Sequence, residues 1–105
     1  MPATAETKQD VFDRVRDSAD VIRSLGVQRL GLFGSFVRDE QSPESDVDVL
    51  VEFLPGRKSY DRFLDLALLL EEILQRRVEL VTRESLSPYI GPHILDEVQD
   101  VPLGS

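Results

Sequence analysis

The sequence predicts an α/β (α+β) fold in which helices pack against a small mixed sheet of three strands. Apolar residues recur at helical spacing in residues 8–25 and 60–75. Three short apolar runs are typical of strands: residues 27–33, 46–54 and 77–82. With short helices after the first and third strands, the elements alternate as α-β-α-β-α-β-α, an order typical of helices that cover a sheet.

The first helix carries apolar residues on one face: Val11, Val15, Ala19 and Ile22. Gly26 suits the end of this helix, because glycine readily adopts the left-handed conformation of a helix C-terminus. The first strand then leads into a short helix over residues 35–40. Residues 41–45 include a proline and are predicted to form a loop.

The second strand is predicted to end at Pro55 and Gly56, which favour a turn. Ser59 is a candidate N-cap for the helix over residues 60–75. The apolar face of that helix contains more leucines than one packing surface needs, which indicates that part of it contacts a partner protein.

The C-terminal part is predicted to contain the third strand and a short helix over residues 92–98. Residues 1–105 are expected to form one domain, which is a usual size for a single core. The two ends, residues 1–7 and 99–105, lack a clear pattern and are expected to be loose.

The composition is that of a globular protein, with 41% hydrophobic and 30% charged residues. The net charge of −8 argues against direct nucleic-acid binding, which needs a basic surface. Cysteine is absent, so disulfides and thiolate metal sites are excluded. No apolar segment approaches the roughly 20 residues of a membrane-spanning helix. We therefore expect a cytoplasmic protein that does not enter membranes.

Two features of residues 31–52 predict chemistry. Small residues at the strand-to-helix turn, Gly34 and Ser35, would let backbone N–H groups approach a phosphate. Asp46 and Asp48 project from the same side of a strand, which suits a hard divalent cation such as Mg²⁺. A plainer interpretation is also open: an ordinary turn with a serine cap, followed by a solvated strand edge.

The pattern in residues 34–48 resembles the signature of the minimal nucleotidyltransferase (MNT) family of the polymerase-beta-like superfamily. That signature is Gly-Ser, a gap of ten residues, and Asp-x-Asp. The likeness extends over about residues 11–98 and includes three further residues: Arg38, Ser45 and Glu79.

The resemblance implies a polymerase-beta-like nucleotidyltransferase fold and Mg²⁺-dependent transfer of AMP from ATP. It implies that the nucleotide phosphates are bound by Gly34, Ser35 and Arg38. It assigns metal binding and catalysis to three carboxylates: Asp46, Asp48 and Glu79. Short members of this family are often antitoxins, which resemble enzymes that place AMP on a tyrosine of a HEPN-domain ribonuclease toxin.

The chain departs from the family pattern at two positions. Asp39 stands where the family usually has Gly, and Glu79 stands where it usually has Asp. The longer Glu79 side chain favours an alternative, a catalytically weak MNT-fold module that neutralises a toxin by occlusion. Another alternative is a small-molecule nucleotidyltransferase of the aminoglycoside type, for which a homodimer could supply the acceptor pocket.

Overall fold

A computed structural model describes residues 3–103 and confirms a mixed sheet packed by helices. Within those residues the helices and strands follow in this order: α1 (Lys8–Asp17), α2 (Ala19–Ser24), β1 (Val27–Phe33), α3 (Ser35–Arg38), β2 (Val47–Phe53), α4 (Tyr60–Leu74), β3 (Val78–Thr82), α5 (Gly91–Glu97) and β4 (Gln99–Val101). A single 3-10 turn, Arg83–Ser85, follows β3. In this part of the chain no helix is both long and apolar enough to cross a membrane.

The sheet has the strand order β3-β2-β1-β4. Strand β1 runs antiparallel to β2 and to β4, whereas β2 and β3 are parallel. The predicted count of three strands is therefore wrong by one. The segment Gln99–Val101, expected to be part of a loose end, pairs with β1 through Leu30 and Val101. Only one of its three residues is apolar, so no local pattern indicates a strand.

The N-terminal segment is also packed where the structure describes it. Ala5 is fully buried, and its N–H donates to the carbonyl oxygen of Leu74 at 2.9 Å. Thr7 caps α1, and the Asp10 side chain completes a capping box. These contacts correct the expectation of a loose start for residues 3–7. Residues 1, 2, 104 and 105 belong to the predicted loose ends and lie outside the described residues.

The single helix predicted over residues 8–25 is two helices. Ser18, with φ −107° and ψ 14°, separates α1 from α2. The apolar residues on both sides of this break, Val15 and Ala19, remain buried in the same core. The apolar spacing continues through Ser18, so the sequence pattern does not detect a break of one residue.

Side chains alternate across β2, as the sequence predicts. Val47, Val49 and Val51 are buried in the core that α1, α2 and α4 build on one face of the sheet. Asp48 lies on the opposite face. That face is covered by the α5 region, because Val98 packs on the sheet at Gly31.

Helix α4 confirms the predicted cap, and part of its apolar face is exposed. Ser59 Oγ accepts a hydrogen bond from the Arg62 N–H at 3.2 Å, as expected of an N-cap. One side of the helix is fully buried: Leu66, Leu70 and Leu74. The other side presents an exposed stripe of α4, which consists of Tyr60, Leu64 and Leu68.

Candidate active site

The turn between β1 and α3 is built on Gly34, which has φ +79° and ψ −152°. L-residues rarely adopt this conformation, so the turn depends on glycine. A Cβ atom at Gly34 would overlap Asp48 Oδ2 and would lie 3.0 Å from Asp48 Cγ. The absence of a side chain thus lets a carboxylate from β2 pack directly against the turn. Ser35, at the start of α3, is partly buried.

Asp39, which stands where the family usually has Gly, is accommodated without distortion of this turn. It ends α3 in the left-handed conformation, with φ 58° and ψ 37°. Glycine is favoured there, and aspartate is among the few other residues that tolerate it. Its carboxylate is exposed and accepts a hydrogen bond from Gln41 Nε2 at 3.4 Å. The extra charge is therefore directed away from the turn.

Asp48 and Glu79 lie side by side on the parallel strands β2 and β3, in direct register. Burial raises the pKa of the Asp48 carboxyl to about 6, with further contributions from a hydrogen bond and the negative charge of Glu79. The charge of Asp46 acts in the same direction, whereas that of Arg38 opposes it. Two of the three predicted carboxylates are thus directly coupled, although Glu79 is largely exposed.

Asp46 precedes β2 and is held by Arg77, which no sequence motif indicates. Arg77 Nε donates to Asp46 Oδ1 at 3.1 Å. The partner could have been found from strand register, because the carbonyl oxygen of Arg77 also accepts from the N–H of Val47. Asp46 lines a depression together with Arg76 and Arg77, and this depression is separate from the cleft that Gly34, Arg38 and Asp48 line.

Arg38 is placed by two carboxylates, Glu40 and Glu97. Its Nε donates to Glu40 Oε1 at 2.6 Å, and its Nη1 donates to both Glu97 oxygens at 3.0 and 3.1 Å. The hydrogen bond to Glu40, followed by that to Glu97, raises the pKa of the guanidinium. The Gly34 N–H also donates to Glu97 Oε1, at 2.8 Å. No sequence pattern indicates Glu97, because this residue lies 63 positions from Gly34.

A cleft of about 320 Å³ brings the turn, the arginine and one carboxylate together. Its lining residues are Phe33, Gly34, Arg38, Asp48, Ile90, His93, Ile94 and Glu97. Of the predicted site residues, Gly34, Arg38 and Asp48 therefore share one cleft. Ser35, Asp46 and Glu79 lie next to it in the chain or in the sheet. The cleft combines an arginine with a carboxylate, the two kinds of group that bind a phosphate and its metal ion.

The carboxylates fit a hard cation in their chemistry, although they do not form a preassembled cage. Across residues 3–103, no three acidic or histidine side chains are close enough together to hold one ion. Mg²⁺ is usually held by one or two carboxylates together with substrate phosphates, so Asp46 and Asp48 would suffice. Burial, and then the neighbouring Glu79, raises the pKa of Asp48, and a bound cation would favour its ionised form. The assignment of Asp46, Asp48 and Glu79 as metal ligands stays a prediction.

The raised pKa of Asp48 predicts a pH dependence of stability in the metal-free protein. The folded pKa of about 6 exceeds the ordinary value of 3.8, so folding favours the protonated carboxyl. This contribution is fully present below about pH 4 and is lost as the pH rises through 6. Because Asp48 is only partly buried, solvent screening limits this contribution to the free energy of unfolding to about 1 kcal/mol.

Urea unfolding in EDTA at pH 5 and pH 7.5 would measure this contribution. Asp48→Asn should remove it and should therefore be more stable than the unmodified chain at pH 7.5. Glu44→Gln, which changes an exposed carboxylate in the loop before β2, is the matched control. Equal pH dependence in the unmodified chain and Asp48→Asn would contradict the prediction.

Comparison with known proteins identifies the family. The model of the nucleotidyltransferase domain family matches residues 15–101. A candidate protein adenylyltransferase from Methanocaldococcus jannaschii is 42% identical over 81 residues, which is 77% of this chain and 86% of the relative. The protein adenylyltransferase MntA of Thermococcus cleftensis is 44% identical over 76 residues, covering 70% of this chain and 74% of MntA.

Solved structures share the fold. A candidate minimal nucleotidyltransferase has a TM-score of 0.68 at 30% identity and covers 84% of this chain and 93% of the other. A chain from a complex of a tri-AMPylated Shewanella oneidensis HEPN toxin with MNT antitoxin has a TM-score of 0.60 at 19% identity, covering 87% and 71%. These findings confirm the family resemblance predicted from the sequence. The chain belongs to the nucleotidyltransferase domain family, as a minimal nucleotidyltransferase of the protein adenylyltransferase group.

Proposed function

We propose that this protein is an antitoxin that transfers AMP from ATP to a tyrosine of a HEPN-domain ribonuclease toxin, with Mg²⁺. The observation that carries the proposal is the packing of the Asp48 carboxylate against Gly34. This contact places the predicted phosphate-binding turn and a predicted metal ligand in one cleft with Arg38. A magnesium-bound triphosphate is a substrate that needs both groups at this separation.

The phosphate end of the nucleotide would be bound by donors from the turn. The Gly34 N–H and the Ser35 hydroxyl would donate to oxygens of the leaving pyrophosphate portion. Arg38 would neutralise charge on the same portion, because its guanidinium lines the cleft. Positioning and charge stabilisation of this kind supply most of the rate in phosphoryl transfer.

The carboxylates would act on the other side of the transferred phosphate. Asp46 and Asp48, with Glu79 beside Asp48, would hold Mg²⁺, which when bound supplies charge stabilisation to the phosphate oxygens. In the transfer, the tyrosine oxygen forms a bond to the α-phosphorus while the bond to the bridging oxygen breaks and pyrophosphate leaves. The Glu79 carboxylate would accept the phenolic proton, since it is exposed beside Asp48.

The choice of partner is supported by the relatives and by one surface. The Shewanella complex joins an MNT antitoxin to a HEPN toxin that carries three AMP groups. In this chain, the exposed stripe of α4 presents Tyr60, Leu64 and Leu68 with exposures of 76%, 42% and 57%. A regularly spaced apolar stripe on a helix suits docking of a helical protein partner.

A second candidate function is neutralisation of a toxin by binding alone. It is favoured by one observation, that Asp46 is held by Arg77 at 3.1 Å and lies outside the cleft that Asp48 lines. In this function the exposed stripe of α4 would still bind the toxin. The cleft would contribute nothing to neutralisation.

One experiment separates the two functions. The protein is incubated with Mg²⁺, ATP labelled at the α-phosphate, and the product of the adjacent gene, and the partner is then examined for label and for ribonuclease activity. Label on a partner tyrosine, together with loss of ribonuclease activity, supports the enzyme. Tight binding and neutralisation without label, and without any requirement for ATP, would refute it and favour occlusion.

A further inference from the structure

Glu97 occupies the donors that the proposed function assigns to the nucleotide phosphates. It is the last residue of α5, and one carboxylate oxygen accepts both the Gly34 N–H at 2.8 Å and Arg38 Nη1 at 3.1 Å. The second oxygen accepts Arg38 Nη1 at 3.0 Å. An anionic group with two oxygens therefore already sits where a phosphate would bind.

The pattern of contacts separates Glu97 from an ordinary partner of Arg38. Glu40 already binds the guanidinium through Nε and does not line the cleft. Glu97 lines the cleft, and in addition it bonds the backbone N–H of the glycine turn. Orientation of Arg38 alone would not require a hydrogen bond from the Gly34 N–H to Glu97. Two like charges also cannot share these donors, so a triphosphate and the Glu97 carboxylate exclude each other.

We propose that Glu97 is an intramolecular competitor that fills the phosphate subsite until a magnesium-bound nucleotide displaces it. This inference rests on the proposed function, because it takes Gly34 and Arg38 as the phosphate donors. Displacement requires only rotation of the Glu97 side chain away from the turn. Nucleotide then binds only to molecules in which the Glu97 carboxylate has left the turn, so the apparent affinity is proportional to the fraction of such molecules.

The test measures binding of two probes to the full chain, MgATP and inorganic tripolyphosphate, by titration calorimetry. Glu97→Gln keeps the shape of the side chain and removes its charge, and Glu97→Ala frees both donors. Each should tighten binding of both probes about fivefold, the size expected for loss of a partly exposed ion pair. Glu40→Gln removes the other carboxylate on Arg38 without freeing the Gly34 N–H, so it should change affinity by less than about twofold.

Kinetics of AMP transfer to the partner give a second readout. A competitor predicts that KM for ATP falls in Glu97→Gln while kcat is retained. A fall in kcat with unchanged or weaker nucleotide binding would overturn the inference and make Glu97 a positioning residue for Arg38. Melting curves of each variant identify any loss of fold, and Glu97→Gln provides the test if Glu97→Ala does not fold.

Failure of this inference is distinguishable from failure of the proposed function. If the unmodified chain binds MgATP and labels its partner, but neither Glu97 variant binds more tightly, only the competitor is refuted. If the folded chain and both variants bind neither MgATP nor tripolyphosphate, the phosphate site itself is wrong and the proposed function fails with it. Tighter binding by both Glu97 variants, but not by Glu40→Gln, supports the competitor.

Discussion

Asp48→Asn is expected to lower kcat/KM for AMP transfer to the partner by at least about a hundredfold. The Asp48 carboxylate packs against the Gly34 turn and is the only predicted carboxylate that lines the cleft. Asparagine has the same shape but carries no charge, so it would fill the space without holding a cation. The measurement is initial-rate incorporation of labelled AMP at several concentrations of ATP and Mg²⁺.

Two controls make the loss specific to the site. Asp39→Asn removes a nearby carboxylate that is exposed, and asparagine tolerates the left-handed conformation that Asp39 adopts. It should retain transfer within about twofold, since surface substitutions of this kind have small effects. Asp48→Asn itself should be no less stable than the unmodified chain at pH 7.5. Retention of more than a tenth of the activity by folded Asp48→Asn would refute its proposed function in metal binding.

Local patterns predict the elements whose own residues carry a clear apolar pattern or a capping signal. Strand β1 has the predicted bounds, and α4 begins at Tyr60 after the predicted Ser59 cap. Strand β4 is missed, because its three residues are ordered by pairing with β1 and by burial of Val101 rather than by any pattern of their own. Such pairing depends on contacts between residues about 70 positions apart, which a window of sequence does not contain.

The same distinction applies to the site. The fixed gap between Gly34 and Asp48 carries information in the sequence, because a strand-turn-helix and the next strand place both residues at one end of the sheet. Arg38 follows from its position one helical turn beyond the Gly-Ser pair. Glu97 could not be predicted in this way, since its contact with Gly34 depends on the packing of the α5 region against the sheet. In the sequence, Glu97 resembles an ordinary charged residue on a helix surface, and only the fold shows its contact with Gly34.

Gly34→Ala is expected to lower AMP transfer by at least about a hundredfold and to destabilise the fold by about 2–4 kcal/mol. The first cause is backbone strain, because alanine at φ +79° lies in a region that L-residues avoid. The second cause is overlap of the new Cβ with Asp48 Oδ2, which would push the carboxylate away from the turn. A displacement of about 1 Å at a reacting centre lowers the rate on the order of a hundredfold.

Gly56→Ala is the control for a positive φ angle without a steric clash, because Gly56 has φ +77° and an added Cβ there meets no atom within 4 Å. Urea unfolding should show a loss of about 1 kcal/mol for Gly56→Ala, from strain alone, with AMP transfer unchanged. The additional loss in Gly34→Ala then contains the overlap with Asp48 and the further strain of alanine at ψ −152°. If both variants lost the same stability and both kept transfer, close approach of Asp48 to the turn would be irrelevant to catalysis. The double variant Gly34→Ala/Asp48→Ala separates overlap from strain. Removing the carboxylate should restore most of the stability lost to overlap, whereas the strain remains and AMP transfer stays lost, because the proposed metal ligand is absent.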